Sequence, residues 1–325
     1  MSRSKQRQAR IQQRLDDLDR FVDWPRLVAH VKAIDKTQTG QGGRPRLPAL
    51  RMIKILFLQH LYNLSDPEIE DQLLDRLSFR RFVGIEDDDE VPNFSTIWRF
   101  KEALIKHQLL DGLFDQILAQ LDDQGLVLRQ GTIVDATIIA SSQRPLSQKR
   151  RDELEEKQAK GERLSQVDME AHSTEKRGKK YFGYKGHIGL DVGSKLIRRQ
   201  DFTPANVHDS QRKLFSGDER ARFGDKAYAN QADKRQARAA GVYYGVLDKG
   251  KRNHPLSKKQ KRRNRKLSRI RAQVEHPFAH LQTKLGYLAA RCKTRVRNGL
   301  VFMFNCMLYN IERGIYLLKQ QQAWT

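Results

Sequence analysis

The spacing of apolar residues changes character once along this chain, near Gly125, and that change limits the folds open to it. Before Gly125, apolar residues recur every three or four positions, the repeat of helices packed by one face. After it come short runs such as T-I-V-D-A-T-I-I (132–139), which have strand length and strand composition. The spacing predicts an α/β (α+β) chain with an all-helical N-terminal domain followed by a mixed sheet covered by helices. At 325 residues, 38% of them hydrophobic, the chain can build a core in each part.

Residues 1–44 read as a basic, helical N-terminal arm closed by the breaker-rich linker T-G-Q-G-G-R-P-R-L-P (39–48). A helical domain follows over 45–124. Its segment 49–64 is apolar almost all round, as in a buried helix. Ser65 can cap the next helix, with Asp66, Pro67 and Glu68 favourable in its first turn and Leu73, Leu74 and Leu77 as its apolar stripe. The acidic run E-D-D-D-E (86–90) reads as a solvated loop. V-P-N-F-S-T-I-W-R-F (91–100) opens a further helix, capped by Asn93 or Ser95, with Ile97, Phe100 and Leu104 inward. Such helices can form a helix-turn-helix that presents Ser95, Thr96, Arg99 and Lys101 to DNA, or a bundle that only packs.

The remainder, 125–325, carries the sheet. L-V-L-R-Q-G-T-I-V-D-A-T-I-I (126–139) holds one strand or a hairpin, and 141–180 is a polar insertion read as a surface segment or mobile loop. Strands are expected over 181–192 and 195–202, turned by Gly193-Ser194. A helix is expected over 208–215, a short strand before Asp225, a helix over 230–240 and a strand over 242–247. V-F-M-F-N-C-M-L-Y-N-I-E (301–312) reads as a core helix, and Trp24, Trp98 and Trp324 as core residues or partner anchors.

Charge narrows the partners. Lys and Arg number 62 against 39 acids, a net +23, which predicts a polyanion, and nucleic acid before membrane. Between Asp248 and Glu275 there is no acid. The tract 249–274 carries Lys249, Lys251, Arg252, Lys258, Lys259, Lys261, Arg262, Arg263, Arg265, Lys266, Arg269 and Arg271. Such a cluster neutralises phosphates, releases counterions and binds in a salt-sensitive way without reading bases. No stretch approaches the roughly 18 apolar residues of a membrane span, and the basic N-terminus lacks the apolar segment of a secretory signal. Two cysteines, Cys292 and Cys306, make no disulfide framework. A reducing cytoplasmic location, on the nucleoid, is expected.

The chemistry is suggested by misplaced acids. Asp135 sits in the middle of an apolar strand, sharing a face with Ile133 and Thr137. Burying a lone carboxylate costs several kcal/mol, so it needs a salt bridge or a metal. Asp225 follows a short strand. Glu275 is the first acid after the basic tract, at the edge of a helical stripe of Ile270, Val274, Phe278, Leu281 and Leu285. Arg271 lies one turn before Glu275, so a simple ion pair between them is an alternative reading. Pro277 predicts a kink or restart of the helix near Glu275. Converging carboxylates suit Mg²⁺, and two ions about 3.5–4 Å apart can drive in-line phosphoryl transfer.

Five motifs occur in order: T-I-V-D-A-T, Y-F-G-Y-K-G-H-I-G, T-P-A-N-V-H-D-S, F-G-D-K-A-Y and R-x-x-x-E-H-P-F. With L-S-D-P-E-I-E-D-Q-L and V-P-N-F-S-T-I-W-R-F before them, the chain resembles the DDE transposases of bacterial insertion sequences, in particular the IS-five group. The resemblance implies a ribonuclease-H-like catalytic domain with Asp135, Asp225 and Glu275 as metal-binding, catalytic triad. It implies two Mg²⁺ ions, replaceable by Mn²⁺, and double-stranded DNA partners: the element's terminal inverted repeats and a target. A homodimer or larger assembly on DNA follows from the same resemblance. Relatives carry a tyrosine, arginine, glutamate, lysine pattern around the last acid. Here Arg271 and Glu275 fit, Ser268 and Gln282 depart, and Lys284 can substitute for the lysine. Lys185, His187 and Lys226 are candidates for phosphates near the metals, and His208-Asp209 for a helix cap with a supporting role. His276 and His280 lack the partners of a zinc site. The rival readings are a non-catalytic, domesticated DNA-binding protein and a ribonuclease-H-like nuclease without strand transfer.

Overall fold

A computed structural model of the chain describes residues 3–32, 34, 47–162, 167–176, 178–250, 252 and 254–322. Most of the linker expected at 39–48, with Lys251 and Trp324, lies outside them. The chain divides into two compact units, one of residues 1–126 with 303–325, the other of 127–302. Among the described residues no helix is long and apolar enough to cross a membrane.

The first unit is helical: α1 (Arg3–Phe21), α2 (Trp24–Val31), α3 (Ala49–Leu61), α4 (Asp66–Asp75), α5 (Leu77–Val83), α6 (Phe94–Lys106) and α7 (Leu110–Asp123), with the last helix of the chain from Met303 on. α3 is buried on nearly every side, as its composition requires, and Phe57 packs in T-shaped contacts with Trp24 and Phe304, ring centroids 5.4 and 5.5 Å apart. Ser65 and Glu68 close a reciprocal capping box on α4, and Asn93 caps α6 by accepting the Thr96 N–H. Leu73 is buried, but Leu74 and Leu77 are not: they are 60% and 71% exposed, so the stripe expected through them ends at Leu73. The acidic loop is tied to its neighbours: Asp89 accepts from Arg51 of α3 at 2.7 Å, and Arg80 of α5 donates to the Glu86 carbonyl and pairs with Asp87.

The second unit is built on a sheet: β1 (Thr132–Ser141), α8 (Gln148–Ala159), β2 (His172–Lys176), β3 (Lys179–Asp191), β4 (Ile197–Pro204), β5 (Ala221–Gly224), α9 (Gln231–Ala239), β6 (Tyr243–Val246), α10 (Lys258–Arg271), α11 (Glu275–Thr283), β7 (Ala289–Ala290) and α12 (Arg295–Gln322), which passes into the first unit at Met303. β1 runs antiparallel to β3, and β3 antiparallel to β4; on the other side β1 runs parallel to β5 and β5 to β6. The order β4-β3-β1-β5-β6, with β1 central and its three leading strands antiparallel, is the ribonuclease-H-like arrangement.

Several local expectations change. Residues 126–131 form no hairpin, and β1 is a single strand. Residues 208–215 are not a helix but one 3-10 turn at Asp209–Gln211, capped by His208. The polar insertion is structured over much of its length. α8 buries Leu154, β2 extends the sheet, and buried Asp168 accepts the Tyr184 hydroxyl at 2.6 Å. The glycines of Y-F-G-Y-K-G-H have steric reasons. Gly183 has φ +147, and a Cβ there would lie 2.4 Å from the Ile139 carbonyl oxygen. One on Gly186 would lie 2.5 Å from the Phe302 ring.

Candidate active site

The central strand carries the first acid, and sheet register supplies the second. Val134 of β1 is the parallel partner of Gly224, the last residue of β5, and the next residues along the chain are Asp135 and Asp225. β5 ends at Gly224, and Asp225 then caps the turn Lys226–Tyr228, its Oδ1 accepting the Ala227 N–H at 2.7 Å. Val134, next to Asp135, joins Tyr228 and Val246 in a buried apolar cluster with Leu214, Phe215 and Tyr244 packed against it.

Asp135 is largely withdrawn from water, and both its oxygens receive donors. Oδ1 accepts the Ala136 N–H and Oδ2 accepts from Nη2 of Arg271, each at 2.8 Å. Burial raises its pKa above 3.8. The Arg271 charge and the Ala136 N–H oppose that rise, and the Asp225 charge adds to it. Tyr228 feels the same cluster: burial, then the charges of Asp209, Asp135 and Asp225, push its phenol above 10.0.

Arg271 therefore meets Asp135, and the alternative reading of an ion pair between Arg271 and Glu275 is not the one found. The helix restarts as Pro277 requires: α10 ends at Arg271, Ala272–Val274 form a 3-10 turn, and Glu275 opens α11 exposed to solvent. Among the described residues no three His, Cys, Asp or Glu side chains gather closely enough to hold a metal ion. The aspartate pair alone does fit a hard divalent cation. It offers oxygen donors, its like charges require a counter-charge, and a guanidinium already occupies that role on Asp135.

The remaining candidates separate into groups. Lys226, beside Asp225, is exposed, as is Lys284 at the end of α11. Lys185 is engaged: its ammonium donates to the Val207 carbonyl at 2.9 Å and to Asp209 at 2.8 Å. His187 is 1% exposed, shares a 2.8 Å hydrogen bond between Nε2 and Thr203, and has its pKa pushed down to about 4 by burial. It is neutral at physiological pH, and a direct phosphate contact is not open to it in this form. His276 and His280 stand with ring centroids 6.5 Å apart.

α10 sorts the basic tract by helical period. Ser257 and Gln260 cap it reciprocally. Lys258, Lys259, Lys261, Arg262, Arg265, Lys266 and Arg269 all face solvent, as do Lys249 and Arg252 before it. Arg263 turns inward, donating to the Tyr244 carbonyl at 2.7 Å, to the Val246 carbonyl at 3.1 Å and to Asp248 at 2.9 Å. It fastens α10 to β6 and is not part of the outward strip expected to meet phosphate. In the helical unit Arg99 is exposed on α6, whereas Lys101 is ion-paired with Asp66.

Two residues carry more at the site than their sequence motifs imply. Asp209 had a supporting role suggested only through its motif, yet it binds Lys185 and its charge reaches Tyr228. Tyr228 itself closes F-G-D-K-A-Y three residues after Asp225, and that short spacing was the signal for it.

Residues 3–103 match a family model described as "Transposase domain (DUF772)", and residues 128–311 match one described as "Transposase DDE domain". Among solved structures the chain is similar to one described as "Cryo-EM structure of piggyBac transposase synaptic complex with hairpin DNA". The likeness has a TM-score of 0.48 and 10% sequence identity, and covers 95% of this chain and 76% of that one.

Proposed function

We propose that this chain, which belongs to the transposase DDE family, cuts and joins DNA at a site built on Asp135 and Asp225. It is a DNA transposase, and the family works with divalent metal ions. The observation that carries the assignment of residues is the Val134–Gly224 register, which sets two acids from distant parts of the chain side by side. Glu275, exposed at the start of α11 and not gathered with the two aspartates, is proposed as the third member of the set on the strength of its motif.

Within the transposases, the five ordered motifs favour the IS-five group. The element's terminal inverted repeats are then the bound DNA, and a target duplex is the acceptor. Water attacks a phosphodiester to free a 3′-hydroxyl, and that hydroxyl attacks target DNA; both are in-line displacements at phosphorus. Asp135, Asp225 and Glu275 would hold Mg²⁺, two ions in all with Mn²⁺ as substitute, which when bound supplies Lewis acidity toward the attacking and leaving oxygens. The chain's own groups do the rest. The outward cations of α10, Lys258 to Arg269, hold the phosphate backbone, with Arg271 beside Asp135, Lys226 next to Asp225 and Lys284 at the end of α11 as further phosphate contacts. Arg99 on α6 supports DNA contact by the helical part, 45–124, while 125–325 acts as the catalytic part and 1–44 as a basic arm. Lys185 and His187 act through Asp209 and Thr203, as positioning residues. A dimer or larger assembly brings two element ends together.

The test uses labelled duplex carrying the DNA that borders this gene. Wild type with Mg²⁺ is expected to cut at the element end and give joined product, and Asp225→Asn to bind equally but not cut. If both proteins bind alike and neither cuts, the chain is a non-catalytic DNA-binding relative. Cleavage by wild type without joined product indicates a nuclease.

A further inference from the structure

Arg271 stands where three features meet. It is the last residue of α10, so the outward basic strip leads directly to it. Its Nη2 holds Oδ2 of Asp135, which is the oxygen not used by the Ala136 N–H. The 3-10 turn Ala272–Val274 follows at once, breaking the helix between Arg271 and Glu275. The guanidinium is also incompletely satisfied: its Nε is buried without a hydrogen-bond partner among the described residues. A buried arginine normally uses its planar fork on two acceptors, and a phosphate offers both.

We propose that Arg271 is an electrostatic latch: it neutralises Asp135 in the free chain and is drawn off by a DNA phosphate. The proposal rests on the reading of Asp135 and Asp225 as cation ligands and adds a regulation to it. Arg271 and a divalent cation compete for Oδ2 of Asp135, because two positive groups cannot share one oxygen without strong repulsion. A phosphate delivered along α10 satisfies the guanidinium better than one carboxylate oxygen does. DNA binding and cation binding are therefore positively coupled through one side chain, and by linkage the coupling is the same in both directions. The biological sense is that the free protein takes up metal weakly and becomes competent for hydrolysis only on DNA.

The experiment measures Mn²⁺ binding to the full chain by the electron paramagnetic resonance of free Mn²⁺, with and without a short duplex whose own Mn²⁺ uptake is subtracted. Wild type is expected to bind weakly alone and roughly tenfold more tightly with DNA, within the usual range of coupling between sites. Arg271→Gln is expected to bind Mn²⁺ alone about as tightly as wild type does with DNA, and to lose most of the DNA effect. Arg271→Lys keeps a positive charge beside Asp135 and should stay close to wild type without DNA; this variant also serves if the Gln protein fails to fold. The latch is overturned if Arg271→Gln binds Mn²⁺ no better than wild type, if its coupling to DNA is intact, or if Lys tightens binding as much as Gln. Asp135→Asn separates the two ideas. If that variant retains wild-type Mn²⁺ affinity, the cation-site reading itself has failed.

Discussion

Val134 and Gly224 are partners in the parallel pairing of β1 with β5, and the residue after each is an aspartate. A one-residue slip in that pairing would separate the two carboxylates along the strand direction by about 3.3 Å. Placement of the site is thus a property of backbone hydrogen bonding rather than of flexible side chains. It follows that changes to the sheet and changes to the acids should be separable by experiment.

Asp135→Asn should remove activity while leaving the fold. Loss of cleavage is expected to exceed about 100-fold, since even outer partners of metal ligands cost 10–100-fold. The pKa of Asp135 is raised in the folded state, so its effect on stability is most favourable at low pH and is lost as pH rises through the folded value. The Asn variant lacks that loss. Its unfolding free energy relative to wild type should therefore increase from acid toward neutral pH in urea titrations. A relative decrease would show that the Arg271 ion pair dominates.

His187 gives the opposite slope. Its folded pKa of about 4 lies below the usual 6.5, so the folded state resists protonation. Stability should fall as pH drops from 6.5 toward 4, by an amount on the order of 3 kcal/mol for this group alone. Comparing wild type with His187→Gln across that window isolates the contribution. A wild-type slope no steeper than the variant's would mean that the imidazole can charge in place.

Arg262 and Arg263 are neighbours in sequence with different work. Arg262→Ala should leave the melting temperature unchanged, weaken DNA binding and reduce the slope of log affinity against log salt by about one. Arg263→Ala should destabilise the protein by roughly 1–3 kcal/mol, as its inward hydrogen bonds to β6 and Asp248 are lost. Thermal melts and fluorescence anisotropy across a salt series distinguish them, and equal behaviour of the two variants would refute the division.

Gly183→Ala should be among the most disruptive single changes. Its φ of +147 excludes side chains, and the added Cβ would stand 2.4 Å from the Ile139 carbonyl oxygen and 2.5 Å from the Ser141 nitrogen. Strain and lost pairing together should exceed about 2 kcal/mol. Circular dichroism melts would show this directly, and a variant as stable as wild type would mean that the β1–β3 register can shift.

Much of this was legible in one dimension because the relevant patterns are local. The cap at Ser65, the restart near Glu275 and the near-complete burial of α3 each follow from a few neighbouring residues. The Asp135–Asp225 pair was legible as two acids at strand positions, but their adjacency depends on a parallel register that no local pattern encodes. The partner of Arg271 was not legible, since Glu275 lies four residues away and Asp135 lies 136 away. The helix expected over 208–215 failed because tertiary bonds took its residues: Asp209 is held by Lys185, and one 3-10 turn is all that remains. Within the basic tract composition was uniform, and only the helical period could tell Arg263 from Arg262.

The capping of α10 by Ser257 and its fastening at Arg263 have an entropic consequence. A disordered basic tail must be ordered when it meets a polyanion, and that ordering subtracts several kcal/mol from the gross attraction. Here the backbone of the basic segment is already fixed in the free chain. Its cations stand at set intervals along a rigid rod, so a phosphate backbone that matches their spacing is favoured over one that must bend to reach them. The segment can therefore discriminate between shapes of nucleic acid while making no contact with a base.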